Sequence, residues 1–177
     1  MRVVAGSARG RRLQAPPGRS VRPTGDRVRE AVFSSLESLG AVEGASVLDL
    51  FAGTGALGIE ALSRGAASAT FVDDDRAAFE SVAANLAATG LGQQATVVRD
   101  DALRFLGRAG RFDLALVDPP YAFDAWAALL EALRAGVAVL ESDREIEVGD
   151  RWRVLRTKRY ADTVVTLALS TDSFSTD

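Results

Sequence analysis

From Ser46 onward short apolar runs alternate with helix-periodic segments, and this alternation restricts the fold of the chain more than any other feature. Ser46–Leu50 reads as a buried strand and Ala56–Ser63 as a helix. Strands follow at 69–72, 95–98, Phe112–Val117 and 137–140, with helices at 75–88, Ala102–Leu106 and 125–134 between them. Strand–helix alternation predicts a parallel sheet covered on both faces. Residues 152–158 and 163–169 then alternate apolar and polar with no helix between them, which predicts a closing antiparallel hairpin turning at Ala161-Asp162. The expected fold is therefore α/β and Rossmann-like, a mostly parallel seven-stranded sheet with an antiparallel end. That ending is unusual in nicotinamide-binding domains and usual in the methyltransferase version of this fold. In such sheets ligands sit at the carboxyl ends of the strands, near the point where strand order reverses.

Ahead of this body lies a different composition. Residues 1–25 are rich in Arg, Gly and Pro, and Val3-Val4 and Leu13 suggest a short hairpin with Gly6 and Gly10 near its turn. A helix is expected from Asp26, with Val28, Ala31, Val32, Leu36 and Leu39 at helical spacing, Gly40 as its stop, and Asp26 or Thr24 as its cap. The division expected is a basic extension over 1–25, a catalytic domain over 26–170 and a frayed tail over 171–177. The first thirty residues hold eight arginines against Asp26 and Glu30, a surplus of six, so with a net charge of −3 the remaining 147 residues carry −9. A basic arm on an acidic body suits contact with a nucleic acid, although a solvated arginine-rich tail reads the same.

The chain has neither cysteine nor histidine. Disulfides and thiolate metal sites are excluded, the commonest general base is missing, and no metal is expected. Chemistry must run on carboxylates, hydroxyls, backbone carbonyls or a cofactor. No apolar run is long enough to span a membrane, and MRVVAGSARG lacks the apolar core of a secretory signal, so a cytoplasmic protein is expected.

Two loops carry the candidate chemistry. The first strand runs into Asp49-Leu50-Phe51-Ala52-Gly53-Thr54-Gly55-Ala56-Leu57-Gly58. Glycines there allow a sharp turn and close approach of a ligand, and the following helix presents free N–H groups. Gly53-x-Gly55-x-x-Gly58 satisfies the dinucleotide fingerprint. The competing reading is an S-adenosylmethionine loop, in which Asp49 before the glycines holds the ligand's amino group. Phe51, Gly53, Thr54 and Gly55 complete that candidate site. The second strand ends in Asp73-Asp74-Asp75, where Asp73, or its neighbour Asp74, is placed for the ribose hydroxyls and Asp75 for a helix cap. Asp101 and Ala102, after the third strand, are placed near adenine, and a helix cap explains Asp101 equally well.

Asp118-Pro119-Pro120-Tyr121 follows the fourth strand directly. The prolines rule out a continuing strand and fix the loop. An exocyclic amine delocalises its lone pair into its base and is a poor nucleophile. Two fixed acceptors, the Asp118 carboxylate and the Pro119 carbonyl, draw its N–H groups and free that lone pair. Tyr121 offers a face on which an extruded base can stack. Proximity to a reactive sulfonium then carries most of the burden, and no histidine is required.

With these motifs in place, the chain resembles the RsmD-type 16S rRNA guanine-N2 methyltransferases over nearly its whole length. The resemblance rests on Arg22-Pro-Thr-Gly-Asp-Arg-Val-Arg-Glu-Ala-Val-Phe33, on Leu48 to Ala66, on Asp118 to Tyr121, and on the Arg2 to Leu13 opening. It implies S-adenosylmethionine as methyl donor and a guanine 2-amino group of 16S rRNA as acceptor, within a small ribosomal subunit or its assembly intermediate. A monomer is expected. Arg2, Arg9, Arg11 and Arg12 would grip phosphates, and Arg22, Thr24, Asp26 and Arg29 would lie between the cofactor and the RNA. A Glu is more usual in that family at the position of Asp73. Arg151, Arg153, Arg156, Lys158 and Arg159 could add a second basic edge on the late hairpin, although a charged strand facing solvent is the preferred reading. A DNA adenine-N6 methyltransferase shares the Asp-Pro-Pro-Tyr loop but normally carries a target-recognition domain. A nicotinamide oxidoreductase leaves that loop unexplained, and a non-catalytic RNA-binding module leaves both loops unexplained.

Overall fold

A computed structural model describes residues 1–17 and 25–172. The helix α1 spans Asp26–Ser38, and Gly40 at φ 65° turns the chain away after it. Then follow β1 (Ser46–Leu50), α2 (Ala56–Ser63), β2 (Ser68–Asp73), α3 (Arg76–Thr89), β3 (Ala95–Arg99), α4 (Ala102–Leu106), β4 (Phe112–Val117), α5 (Trp126–Ala132), β5 (Ala135–Ser142), β6 (Trp152–Tyr160) and β7 (Thr163–Ser170). The seven strands form one sheet in the order β3-β2-β1-β4-β5-β7-β6. β1 to β5 are mutually parallel, and β7 is antiparallel to both of its neighbours. The expected fold class is what the structure has.

The strands are apolar throughout because both faces are covered. Val47, Phe71, Leu114, Leu116 and Val139 point to the face under α1, α2 and α3. Leu48, Leu50, Ala115, Val117 and Leu140 alternate to the face under α4 and α5. β1 lies between β2 and β4, so the chain moves outward one way through β2 and β3 and the other way through β4 and β5. The reversal falls between the carboxyl ends of β1 and β4, the place where sheets of this kind hold their ligands.

The opening residues form the expected hairpin. Arg2 bridges Arg12, and Val3, Gly10 and Leu13 donate backbone bonds across it. Its apolar side chains Val3, Ala8 and Leu13 are buried in the same cluster as α1, α2 and α3. One expectation is corrected. Asp26 does not cap α1: Gly25 occupies the cap position without a side-chain bond, and the Asp26 carboxylate accepts from Arg29 at 2.9 Å. Thr24, the alternative cap, lies outside the described residues. Asp75 caps α3, accepting from Ala77 N at 2.8 Å. The expected tail at 171–177 falls mostly outside the described residues.

Candidate active site

β1 delivers Asp49 into the interior one residue before the strand ends. Its Oδ2 accepts the Gly58 N–H at 2.8 Å, and the residue is 1% exposed. Burial pushes its carboxyl well above the ordinary carboxylate range. The Gly58 bond opposes that shift, and the nearby charges of Asp118 and Asp73 add to it. A buried carboxylate of this kind favours a cationic neighbour, which is what a ligand's ammonium group provides.

The turn after Asp49 is tight and strained at one point. Phe51 has φ 62°, a conformation that non-glycine residues adopt at a cost of about 1–3 kcal/mol and that clusters at ligand sites. Its ring meets Phe123 edge-on at 5.2 Å, and Phe123 meets Trp126 at 5.4 Å. Gly53 donates to Asp73 Oδ2 at 2.9 Å, while Asp73 Oδ1 accepts from Asp75 N at 3.0 Å. Asp73 therefore ties the loops after β1 and β2 together, and each of its oxygens retains a second lone pair for a hydroxyl. Its neighbour Asp74 is exposed and uses its carbonyl to accept from Arg99 Nε at 3.2 Å. Gly55 at φ 79° opens α2, and the loop takes up N–H groups of its first turn: Ala56 N donates to the Thr54 hydroxyl and Gly58 N to Asp49.

Thr54 is turned inward, 8% exposed. Its hydroxyl accepts from Ala56 N at 3.2 Å, and its carbonyl accepts from Asn85 Nδ2 at 2.8 Å. Asp101 serves as the cap of α4, accepting from Arg104 N at 2.9 Å, while Ala102 is buried beneath it. The adjacent Asp100 pairs with Arg108, whose hydrogen bond holds its carboxyl below the ordinary range.

The Asp118–Tyr121 loop leaves β4 beside this turn. β1 and β4 are in register at Leu50 and Val117, and Asp118 N donates to Leu50 O at 3.4 Å. Pro119 is buried, Pro120 exposed and Tyr121 half-buried. Phe123 N donates to Pro120 O at 2.9 Å, which closes the loop. The Tyr121 hydroxyl contacts Asp162 O at 3.3 Å and Thr163 Oγ1 at 3.4 Å, so the β6–β7 turn steadies the ring.

The basic residues divide. Arg2, Arg9, Arg11 and Arg12 are exposed on the hairpin. Arg2 and Arg12 line a cavity of about 550 Å³ together with Met1, Gln14 and Asn85. Arg22 and Thr24 lie outside the described residues. Asp26 is at the surface and Arg29 is not. With Arg29 2% exposed, its guanidinium contacts Asp26, the carbonyl of Arg2 and, at 3.4 Å, Glu60 Oε2. Its expected place facing RNA is thus corrected to a structural one.

Sequence reasoning missed three buried polar residues that hold the hairpin to the body. Glu60 accepts from Val4 N and Ala5 N at 2.9 and 3.0 Å and pairs with Arg64 at 2.9 Å. Ser63 Oγ accepts from Ala8 N at 2.9 Å and donates to Ala5 O at 2.6 Å. Asn85 exchanges bonds with Gln14, accepting from its N at 2.8 Å and donating to its O at 2.9 Å, and also reaches Thr54. Their partners on the hairpin are backbone groups more than fifty residues away, and local pattern carries no signal for that.

The sheet order, the strained turn with its buried carboxylate, and the proline-fixed loop beside it are those of a methyltransferase of Rossmann-like fold. Residues 1–169 match the family model described as Conserved hypothetical protein 95. The chain is 44% identical over 122 residues to the Ribosomal RNA small subunit methyltransferase D of Escherichia coli K12, covering 68% of this chain and 60% of that one. It is 33% identical over 171 residues to the protein of the same name from Haemophilus influenzae, covering 89% and 88%. Among solved structures, a hypothetical protein of Thermus thermophilus, TTHA0928, superposes with a TM-score of 0.82 at 33% identity, covering 94% of this chain and 98% of that one. The chain belongs to the RsmD-type family.

Proposed function

We propose that this protein methylates the exocyclic 2-amino group of a guanine in 16S rRNA, presented by a small ribosomal subunit or its assembly intermediate. The observation that carries the reading is the adjacency of the two loops at the carboxyl ends of β1 and β4, where Asp118 N donates to Leu50 O. Rigid acceptors for an amine thereby stand beside the turn that suits the methyl donor. The ribosomal target is supported by the names of the relatives at 44% and 33% identity.

The residues fit S-adenosylmethionine. Asp49 answers its ammonium group, the backbone of Phe51 to Gly55 cradles the methionine part, Asp73 accepts from the ribose, and Asp101 and Ala102 border the adenine. When bound, this cofactor supplies a methyl group on a positively charged sulfur. Asp118 and the Pro119 carbonyl accept the two N–H groups of the target amine and direct its lone pair outward. Asp118 then holds the proton that the amine gives up. Tyr121, steadied through its hydroxyl by the β6–β7 turn, stacks on the base. Arg2, Arg9, Arg11 and Arg12 hold phosphates and orient an otherwise acidic body toward RNA.

The test is transfer of labelled methyl to unmethylated small subunits, free 16S rRNA and duplex DNA, with the modified nucleoside identified by mass spectrometry. N2-methylguanosine from the subunits is expected. N6-methyladenine from DNA would overturn the acceptor assignment. Asp118→Ala should bind S-adenosylmethionine normally and lose about 10²–10⁴-fold in kcat.

A further inference from the structure

β6 is the outer strand of the sheet, and residues 153–159 are exposed along it. It carries Arg153, Arg156, Lys158 and Arg159 and no carboxylate, on a body in which residues 31–177 sum to −9. Among the described residues no carboxylate pairs with any of the four.

The register sorts these cations. Residues directly opposite in an antiparallel pair share a face. Arg153 stands opposite Leu169, Arg156 opposite Leu167, Lys158 opposite Val165 and Tyr160 opposite Thr163. Leu167 and Val165 belong to the cluster under α1, so this row stands on that side of the sheet. Arg153 and Arg156 are three residues apart and in a regular strand would point to opposite faces. The register shift between Val154 and Arg156 inserts Leu155 as an extra residue and brings them into line. The bulge thus makes a single file of three cations at a pitch of about 7 Å, two strand residues at ~3.4 Å each. Successive phosphates of a nucleic-acid strand have a comparable spacing.

The file leads to the active site. Tyr160, next in the same row, has Lys158 Nζ 4.9 Å from its ring centre. The next residues form the turn whose Asp162 carbonyl and Thr163 hydroxyl hold Tyr121. We propose that Arg153, Arg156 and Lys158 form a docking track for the sugar-phosphate backbone of the substrate RNA beside the target nucleotide. This inference rests on the reading of the protein as an RNA methyltransferase. A charge on an edge strand also blocks unwanted sheet pairing, but that task is indifferent to sign and needs no alignment on one face. A protein partner adding a strand here would need a regular edge, which the bulge interrupts.

The experiment compares wild type with the triple variant Arg153→Gln/Arg156→Gln/Lys158→Gln, and with Arg76→Gln, an exposed position on α3, as control. Binding to a labelled 16S rRNA fragment is measured by fluorescence anisotropy across salt concentrations, and methyl transfer to small subunits is measured in parallel. The triple variant should keep its thermal midpoint and its affinity for S-adenosylmethionine. Its salt slope should fall by about 3 and its KM for subunits should rise about tenfold or more, with kcat little changed. An unchanged salt slope and KM in the triple variant would overturn the track while leaving the methyltransferase reading intact. Loss of affinity for assembled subunits with no change on the free fragment would assign the strand to a protein partner and also overturn it. If wild type neither binds the fragment nor methylates any RNA, the underlying reading falls, and the track with it.

Discussion

At the scale of single residues, Asp49 concentrates the most physical tension. Burial raises its carboxyl above the ordinary range, against the one N–H that Gly58 donates. An acid with a raised folded pKa holds more protons in the folded chain than in the unfolded one. Its contribution to stability therefore falls as pH rises from the unfolded carboxylate value through the raised folded one. Asp49→Asn removes that slope, so calorimetric midpoints of the two proteins without ligand should diverge across that window, the variant becoming relatively more stable as pH rises. Parallel curves would mean that Asp49 titrates normally. Binding of an ammonium reverses the preference, because the ionised carboxyl is the form that pairs. S-adenosylmethionine should then release a fraction of a proton on binding, visible as a dependence of the measured heat on the ionisation enthalpy of the buffer. In Asp49→Asn the release should vanish, and affinity should fall by about 10–100-fold, the worth of a hydrogen bond to a charged group. The neighbouring Gly58 admits no side chain: a Cβ would lie 2.4 Å from Phe71 Cε1 and 3.0 Å from Asp49 Oδ2. Gly58→Ala should cost about 1–3 kcal/mol in urea unfolding and disturb the same carboxylate.

At the scale of elements, α2 and α3 do more than cover the sheet. Each begins at one of the loops proposed to hold the methyl donor and carries buried polar groups that grip the N-terminal hairpin. Asn85 of α3 satisfies both backbone groups of Gln14 and the carbonyl of Thr54, so one amide joins the hairpin to the cofactor turn. Asn85→Ala removes the Asn85 partner of Gln14 N and Thr54 O, while Gln14 O keeps the Ser81 hydroxyl, and a loss of about 2 kcal/mol is expected in chemical denaturation. The same variant should also bind S-adenosylmethionine more weakly, since Thr54 loses its anchor; unchanged affinity would separate the two functions. The elements themselves were largely legible in the chain. The bounds of β1, α2, α4 and β4 are those that apolar runs and flanking glycines indicate. The cap of α1 was not, because Gly25 caps through its backbone while the eye-catching Asp26 turns to Arg29. Arg29 itself reads as a basic surface residue and is in fact the buried partner of Glu60. Alternation revealed β6 as a strand, but only pairing with β7 shows that a bulge lines up its cations. Of the site, both loops follow from residue type and position after a strand, whereas Glu60, Ser63 and Asn85 follow from tertiary contacts alone.

At the scale of the whole molecule, the question is whether the basic hairpin is an appendage or part of the body. A change in composition near residue 25 suggests an appendage. The packing argues otherwise, because Val3, Ala8 and Leu13 are 2%, 4% and 7% exposed within the cluster under α1, α2 and α3. Removing residues 1–14 would uncover that apolar surface and strip Glu60 of two N–H partners while leaving it among Arg29 and Arg64. Burying a side chain of the size of Val or Leu is worth about 1.5–3 kcal/mol, and two such losses with the stranded polar groups approach the ~5–15 kcal/mol that holds a typical domain together. A subtler variant makes the same point without truncation. Gly6 has φ 84°, and a Cβ there would lie 1.8 Å from the backbone oxygen of Ser63, so Gly6→Ala cannot seat the hairpin on α2. Both changes should lower the thermal midpoint, by about 10–20 °C for a loss near 5 kcal/mol in a chain of this length. Affinity for S-adenosylmethionine should fall with it, through Asn85 and Thr54. A truncated chain that melted normally and bound the cofactor normally would instead make the hairpin a separable RNA-binding arm. The shared core predicts that the arm and the cofactor turn stand or fall together.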